Sequence, residues 1–219
     1  MKINAAEFLE YVKGFYTGEP LETGGTSIQG DAAPALRIIS SNFEEGDKIL
    51  DYGAGKYGRN AKYLRGNGYK VYAYDPYNGS DVDGWEGVSK KVPSFERFDV
   101  VFTCFVLNVV SDKIENSILN DTKKLGKQEY HITRNQDIFE SVKKALSRKD
   151  KVVYNFFTKN FADKEDIEAF ESGNLSDDVI MAFCTYGVQT SRGFQRIPFL
   201  EDKGYTLKKK TSGFKIYTK

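Results

Sequence analysis

Scarcity is the first property of this 219-residue chain. It has two cysteines, two methionines, one tryptophan, one histidine and five prolines. Cys104 and Cys184 stand far apart and in no metal-ligand spacing, which argues against a disulfide framework or a zinc site and for reduced thiols. Charge of one sign is also missing: 32 Lys and Arg against 31 Asp and Glu leave a formal charge of +1. That removes the global electrostatic footprint of a nucleic-acid binder and leaves open only a local basic patch. No run approaches the roughly 18 apolar residues of a membrane span, and Met1 to Phe8 contain no uninterrupted apolar stretch. The expectation is a soluble, cytoplasmic protein with no membrane partner. What is plentiful is core material, 40% hydrophobic and 14% aromatic, enough for one substantial core and short for two. Residues 1–219 are therefore read as a single domain.

Periodicity divides that domain into four parts. Ala5, Phe8, Leu9, Val12 and Phe15 recur at helical spacing, so residues 1–45 read as a helical cap, with a glycine-punctuated loop and a second helix over 32–41 whose Pro34 sits near the first turn. Residues 46–136 alternate strand and helix. Strands are expected at 48–52, 70–74, 99–104 and 129–134, and helices at 57–67 and from Ile114 to Leu125, with Gly126 as the helix's terminal glycine. A further short strand belongs between 81 and 97, placed at Gly87-Val88. Residues 137–190 read as a helical insertion, although Lys151 to Phe157 also has strong strand propensity. The tail, 191–219, carries two alternating segments around Ser212-Gly213, a hairpin signature.

The chemistry concentrates at one turn. Lys48-Ile-Leu-Asp51-Tyr-Gly53-Ala54-Gly55-Lys-Tyr-Gly58 is a strand running into a glycine-rich turn and a helix, and Asp75 follows 24 positions after Asp51 at the end of the next strand. The pattern satisfies G-x-G-x-x-G with a ribose-binding carboxylate, so a nicotinamide or flavin enzyme is one reading. Two features oppose it. Asp51 puts negative charge where a pyrophosphate would lie, whereas a methionine ammonium beside a sulfonium favours it. A terminal antiparallel hairpin is also foreign to the usual dinucleotide-binding sheet.

Asp51-x-Gly53-x-Gly55, Asp75-Pro76-Tyr77 and the run from Phe98 through Asn108 to Val110 resemble the cofactor, ribose and fourth-strand motifs of class I S-adenosylmethionine-dependent methyltransferases. More narrowly, Asp-Tyr-Gly-x-Gly, Asp-Pro-Tyr and Val-Leu-Asn-Val-Val are similar to uncharacterised methyltransferases of bacteriophages and of some bacterial DNA-modification islands. The resemblance covers about 46 to 135. It implies an α/β, Rossmann-like fold with a mostly parallel seven-stranded sheet and an antiparallel C-terminal hairpin. It implies S-adenosylmethionine as cofactor and no metal. Asp51 would face the methionine amino group, and the backbone of Gly53, Ala54 and Gly55 would approach the cofactor. Asp75 would accept both ribose hydroxyls, Pro76 and Tyr77 would flank adenine, and Cys104 and Phe105 would lie near the sulfonium.

Catalytic candidates are fewer, because displacement at a sulfonium needs positioning more than acid or base. Asn108 can orient an acceptor or simply cap a helix, and His131 can serve the cleft or simply pack. Arg134 can face the cleft or pair with Asp137. The loop Thr190 to Arg196 has a substrate reading and a plain-turn reading. Asp75-Pro76-Tyr77-Asn78 lacks the second proline of the amino-methylating DNA enzymes and follows the wrong strand, which counts against ordinary adenine or N4-cytosine methylation. The acceptor is left as a small molecule, a nucleotide, a nucleic acid or a host protein. A second class of function is a non-catalytic protein that keeps the pocket and sequesters a host factor.

Overall fold

A computed structural model describes residues 31–93, 97–135, 177, 181, 184, 185, 187–190 and 193–219. Four apolar segments form a parallel block: β1 (Lys48–Tyr52), β2 (Lys70–Tyr74), β3 (Phe98–Cys104) and β4 (Gly126–Arg134). Helices cover both faces, so β3 is buried along nearly its whole length and reads Phe-Asp-Val-Val-Phe-Thr-Cys instead of alternating. On one face lie α1 (Leu36–Ile39) and α2 (Arg59–Gly66), whose Leu36, Ile39, Ala61 and Leu64 pack with Val71, Val100, Phe102 and Ile132. On the other lies α3 (Asp112–Leu125), whose Ile118 and Leu119 join Leu50, Val101 and Tyr217. Each such aliphatic side chain contributes about 1.5–3 kcal/mol by leaving water.

The tail returns as β7 (Thr206–Lys210) and β8 (Phe214–Thr218), with β8 antiparallel to both β4 and β7. The order is β2-β1-β3-β4-β8-β7. This is the expected mostly parallel α/β sheet with an antiparallel terminal hairpin. Every residue of β7 is exposed, and Lys208, Lys209 and Lys210 on this edge oppose pairing with another chain. The chain passes from β1 to β2 on one side and then crosses back to β3 on the other side of β1, so the strand order reverses there. A crevice therefore opens at their carboxyl ends, the position where open α/β sheets bind ligands.

The sheet has six strands among the described residues, not seven. The strand placed at Gly87-Val88 is a loop that runs back along β2, joined to it by one isolated parallel bridge, Tyr74 to Ser89, and by the bond from Ala73 N–H to Gly84 O at 2.8 Å. Arg65 replaces the missing ladder: Nε donates to Val71 O at 2.9 Å, and its two Nη atoms reach the carbonyls of Gly84, Glu86 and Gly87. A side chain thus satisfies carbonyls that a neighbouring strand would otherwise meet.

Local boundaries also differ. The 57–67 helix begins at Arg59 because Gly58 holds a left-handed φ of 53°. The 32–41 helix is one α turn, 36–39, continued by a 3₁₀ turn at Ser40–Asn42. Gly126 is not a left-handed helix terminus: at φ −107° it opens β4 directly, three residues before the expected start. Its lack of a side chain has another cause, since a Cβ there would lie 2.7 Å from Val101 Cγ2. The cap over 5–16 and nearly all of 137–186 lie outside the described residues. Within the 137–190 segment, β5 (Val188–Thr190) pairs with β6 (Gly193–Gln195) as a separate two-stranded ribbon. Of the Thr190–Arg196 loop, Thr190 and Gly193 to Gln195 belong to that ribbon.

Candidate cofactor site

The turn after β1 is built from backbone that side chains would obstruct. Gly53 has φ 84° and Gly55 φ 67°, both left-handed. A Cβ on Gly53 would collide with Val106, which packs over the turn from the end of β3. The amides of Gly53 and Ala54 both donate to Tyr74 O, at 2.8 and 2.9 Å, which stitches the turn to the end of β2.

Asp51 faces the α2 side of β1 and is fully buried, yet neither carboxylate oxygen has a hydrogen-bond partner. Burial pushes its carboxyl up to about 7; the Ala61 backbone N–H, which approaches the carboxylate without the geometry of a hydrogen bond, and Arg65 oppose the rise, and Asp75 adds to it. A buried polar atom without a partner costs about 1–3 kcal/mol, so this residue is an unsatisfied charge in search of a cation or a donor.

Asp75 is the reverse. Its Oδ1 accepts from the amides of Tyr77 (3.0 Å) and Asn78 (2.7 Å) and from Asn78 Nδ2 (3.3 Å), while Oδ2 accepts from Gly55 N–H at 2.9 Å. The carboxylate therefore locks the glycine turn to the β2 terminus. It leaves room for one further hydroxyl on Oδ2, where the expectation was two hydroxyls. Pro76 and Tyr77 follow on the surface, and Tyr77 is 67% exposed.

Across the crevice, Cys104 is buried among the α1/α2-side core and Phe105 is half-buried. Phe105 has φ 60°, the single non-glycine residue with positive φ among those described, and its amide donates to Ile132 O at 2.8 Å. The Arg134 guanidinium lies 4.2 Å from the centre of the Phe105 ring, so the ends of β3 and β4 meet here.

The remaining candidates turn inward. Asn108, 1% exposed, donates from Nδ2 to Arg196 O (3.0 Å) and accepts on Oδ1 from Arg134 N–H (2.9 Å), joining two chain ends. His131 is fully buried on the α3 side, with Nδ1 2.9 Å from Thr103 Oγ1 and Nε2 3.4 Å from Glu129 Oε2. The structure thus gathers Asp51, Gly53, Ala54, Gly55, Asp75 and Phe105 at the carboxyl ends of β1, β2 and β3, sets Arg134 against Phe105, and sends Asn108 and His131 into packing. Arg65, which stabilises the adjoining loop, was missed; a lone arginine late in a helix carries no signal that its partners are carbonyls up to 22 positions away. No group of three His, Cys, Asp or Glu among the described residues is placed to hold a metal ion, and no described helix is long and apolar enough to cross a membrane.

No protein-family model and no curated protein matches the sequence. Solved structures do match in fold. A Rhodobacter sphaeroides protein assigned to the zinc-dependent alcohol dehydrogenases aligns over 98% of this chain and 96% of its own, with TM-score 0.50 and 14% identity. A TehB-like SAM-dependent methyltransferase from Corynebacterium glutamicum aligns over 98% of each chain, with TM-score 0.40 and 16% identity. The CcbJ methyltransferase from Streptomyces caelestis aligns over 53% of this chain and 59% of its own, with TM-score 0.39 and 15% identity. The chain spans less than two thirds of the length of the first structures it matches. At these identities the likeness concerns the fold, which is Rossmann-like, and several of the matched structures are methyltransferases.

Proposed function

We propose that this chain is an S-adenosylmethionine-dependent methyltransferase. The observation that carries the reading is Asp51, an unpartnered buried carboxylate at the end of β1 under a left-handed glycine turn. A pyrophosphate would be repelled there; an ammonium beside a sulfonium would be attracted and would relieve the burial cost. The residues present fit such a cofactor. Asp51 would meet the methionine amino group, the Gly53–Gly55 backbone would lie against it, and Asp75 Oδ2 would take a ribose hydroxyl. Pro76 and Tyr77 would border the adenine, and Cys104 and Phe105 would stand near the reacting end. Bound there, the sulfonium supplies an electrophilic methyl carbon whose leaving group is a neutral thioether.

The chain's own part is to hold an acceptor in line and exclude water. Arg134, whose guanidinium lies over the Phe105 ring, would orient it. Asn108 and His131 act through position, since the hydrogen bonds of both run to neighbouring chain. That same fact favours a second reading, a binding protein that holds the cofactor without turnover and engages a host factor. A phage-type origin rests on the sequence resemblance.

Calorimetry with S-adenosylhomocysteine and with NADH tests the cofactor. We expect micromolar binding of the former, weakened at least tenfold by Asp51→Asn; preferential binding of NADH, or indifference to the substitution, overturns the reading. Release of S-adenosylhomocysteine from S-adenosylmethionine in the presence of acceptors separates the enzyme from the binding protein.

A further inference from the structure

A second concavity lies beside the glycine turn on the α1/α2 side. It has a volume of about 370 Å³ and is lined by Asp31, Arg37, Tyr57, Arg59, Lys62 and Tyr63 with two small alanines. None of Asp51, Gly53, Ala54, Gly55 or Asp75 contributes to its wall, so it is separate from the candidate cofactor cradle. The two share an edge of the sheet, because α2 departs from the glycine turn and Arg59 is its first residue.

Its walls carry three cations and one carboxylate. Among the described residues no salt bridge joins Arg37, Arg59 or Lys62 to an acid, whereas Lys90, Lys127, Arg196 and Lys203 all have such partners. The cavity is also held in shape. Ala33 N–H donates at 3.1 Å to Oδ1 of Asn60, which is 4% exposed, and this bond ties the two walls together beneath the cations. At the rim, the Tyr57 ring is 51% exposed, with the Arg59 guanidinium 5.4 Å and the Lys56 ammonium 5.8 Å from its centre. Both cations lie over the ring, and a guanidinium plane is itself a surface on which a flat, anionic molecule stacks. Arginine forks match phosphate oxygens in pairs, and the volume falls in the range of small-molecule sites, about 300–1,000 Å³.

We propose that this cavity anchors the phosphate of the methyl acceptor, with its base at the cation-covered Tyr57 rim, which makes the acceptor a nucleoside monophosphate. Arg37, Arg59 and Lys62 neutralise the dianion, and Asp31 keeps the empty cavity from excess positive charge. The inference rests on the methyltransferase reading for the word acceptor; the phosphate site itself does not.

Calorimetry on the full chain tests it with adenosine and uridine 5′-monophosphates, their nucleosides, inorganic phosphate and a single-stranded oligonucleotide. The expected result is a monophosphate bound at least tenfold more tightly than its nucleoside. Arg59→Gln combined with Lys62→Gln should weaken it at least tenfold while S-adenosylhomocysteine affinity stays within twofold. Both positions are exposed, so the variant folds. Equal binding of nucleoside and monophosphate, or an unaffected double variant, overturns the proposal. So does competition between inorganic phosphate and S-adenosylhomocysteine, which would assign the cations to the cofactor. An oligonucleotide bound more than tenfold tighter than any monophosphate also overturns it, in favour of a nucleic-acid track. Monophosphate binding that needs Arg59 and Lys62, in a protein that ignores S-adenosylhomocysteine, overturns the methyltransferase reading and upholds the phosphate site.

Discussion

Asp51 and Glu129 are both buried carboxylates on the parallel block, 0% and 4% exposed, and the fold treats them in opposite ways. Glu129, on β4, has its Oε2 surrounded: Thr122 Oγ1 donates at 2.7 Å, Tyr205 OH at 3.1 Å, and His131 Nε2 stands at 3.4 Å. Burial pushes its carboxyl up, but these contacts outweigh it and hold the group below the usual glutamate value. Asp51, on β1, has none of this, and burial prevails. On the side facing α3 and the hairpin the buried carboxylates are met internally, and the groups left without a partner among the described residues are the Thr133 hydroxyl and one nitrogen of Arg196; at the crevice it is a carboxylate that is left open. An internal network stabilises the folded chain alone, whereas an unsatisfied group becomes favourable only with a ligand.

The sharpest way to break the packing half is at Glu115. It is fully buried, receives Arg196 Nη1 at 2.9 Å and also meets Lys203, both from the segment leading into the hairpin. Glu115→Ala leaves the 6%-exposed Arg196 without its main counter-charge. Unfolding in urea should show a loss of about 3–5 kcal/mol, the cost of stranding one member of a buried pair. A loss under about 1 kcal/mol would mean that the pair is well hydrated.

The same carboxylate-to-amide change should have opposite signs at the two compared positions. Glu129→Gln is expected to cost roughly 1–3 kcal/mol at neutral pH. Because its folded-state pKa is depressed, the stabilisation is complete above the ordinary value of 4.5 and is lost as pH falls through the folded value, so the variant should lose less stability on acidification than the parent. Asp51→Asn should instead raise the stability of the ligand-free protein. The folded carboxyl takes up a proton that the unfolded chain releases between 3.8 and about 7, so the parent's stability falls as pH rises through that window. Above it, the amide variant should be more stable by about 1–3 kcal/mol, a difference that closes below pH 4. Thermal unfolding scans across pH measure both, and a destabilised Asp51→Asn at pH 8 would mean that the aspartate has an internal partner.

Much of the crevice was legible because its chemistry is local. β1, the glycine turn, β2 and the carboxylate of Asp75 lie within one 28-residue window, 48–75, where periodicity and φ requirements act on neighbours. The hairpin was legible for the same reason, at Ser212-Gly213. The packing half was not. Glu115 and Arg196 are 81 positions apart and Tyr205 and Glu129 76, and nothing in the local pattern of either partner points to the other. His131 shows the consequence: as the lone histidine on a strand ending at the crevice it invited a functional role, but strand alternation sets it on the α3 face among Thr103, Glu129 and Tyr205. The absent strand at Gly87-Val88 has the same origin, since the Arg65 clasp that replaces it is tertiary.

Tyr77 gives the smallest effect and the finest test. It was expected beside an adenine, yet the ring is 67% exposed just past the turn that Asp75 holds with its Oδ1. With so little area buried, Tyr77→Ala should change stability by less than about 0.5 kcal/mol, as exposed substitutions do. Its backbone N–H, the part that bonds Asp75, survives the substitution. Any loss of S-adenosylhomocysteine affinity therefore reports the ring alone, and two- to fivefold is expected if the side chain folds over a bound base. An unchanged affinity would confine recognition at this end of the crevice to the Asp75 turn, which would make the open half of the sheet a site read by backbone and carboxylates without an aromatic wall.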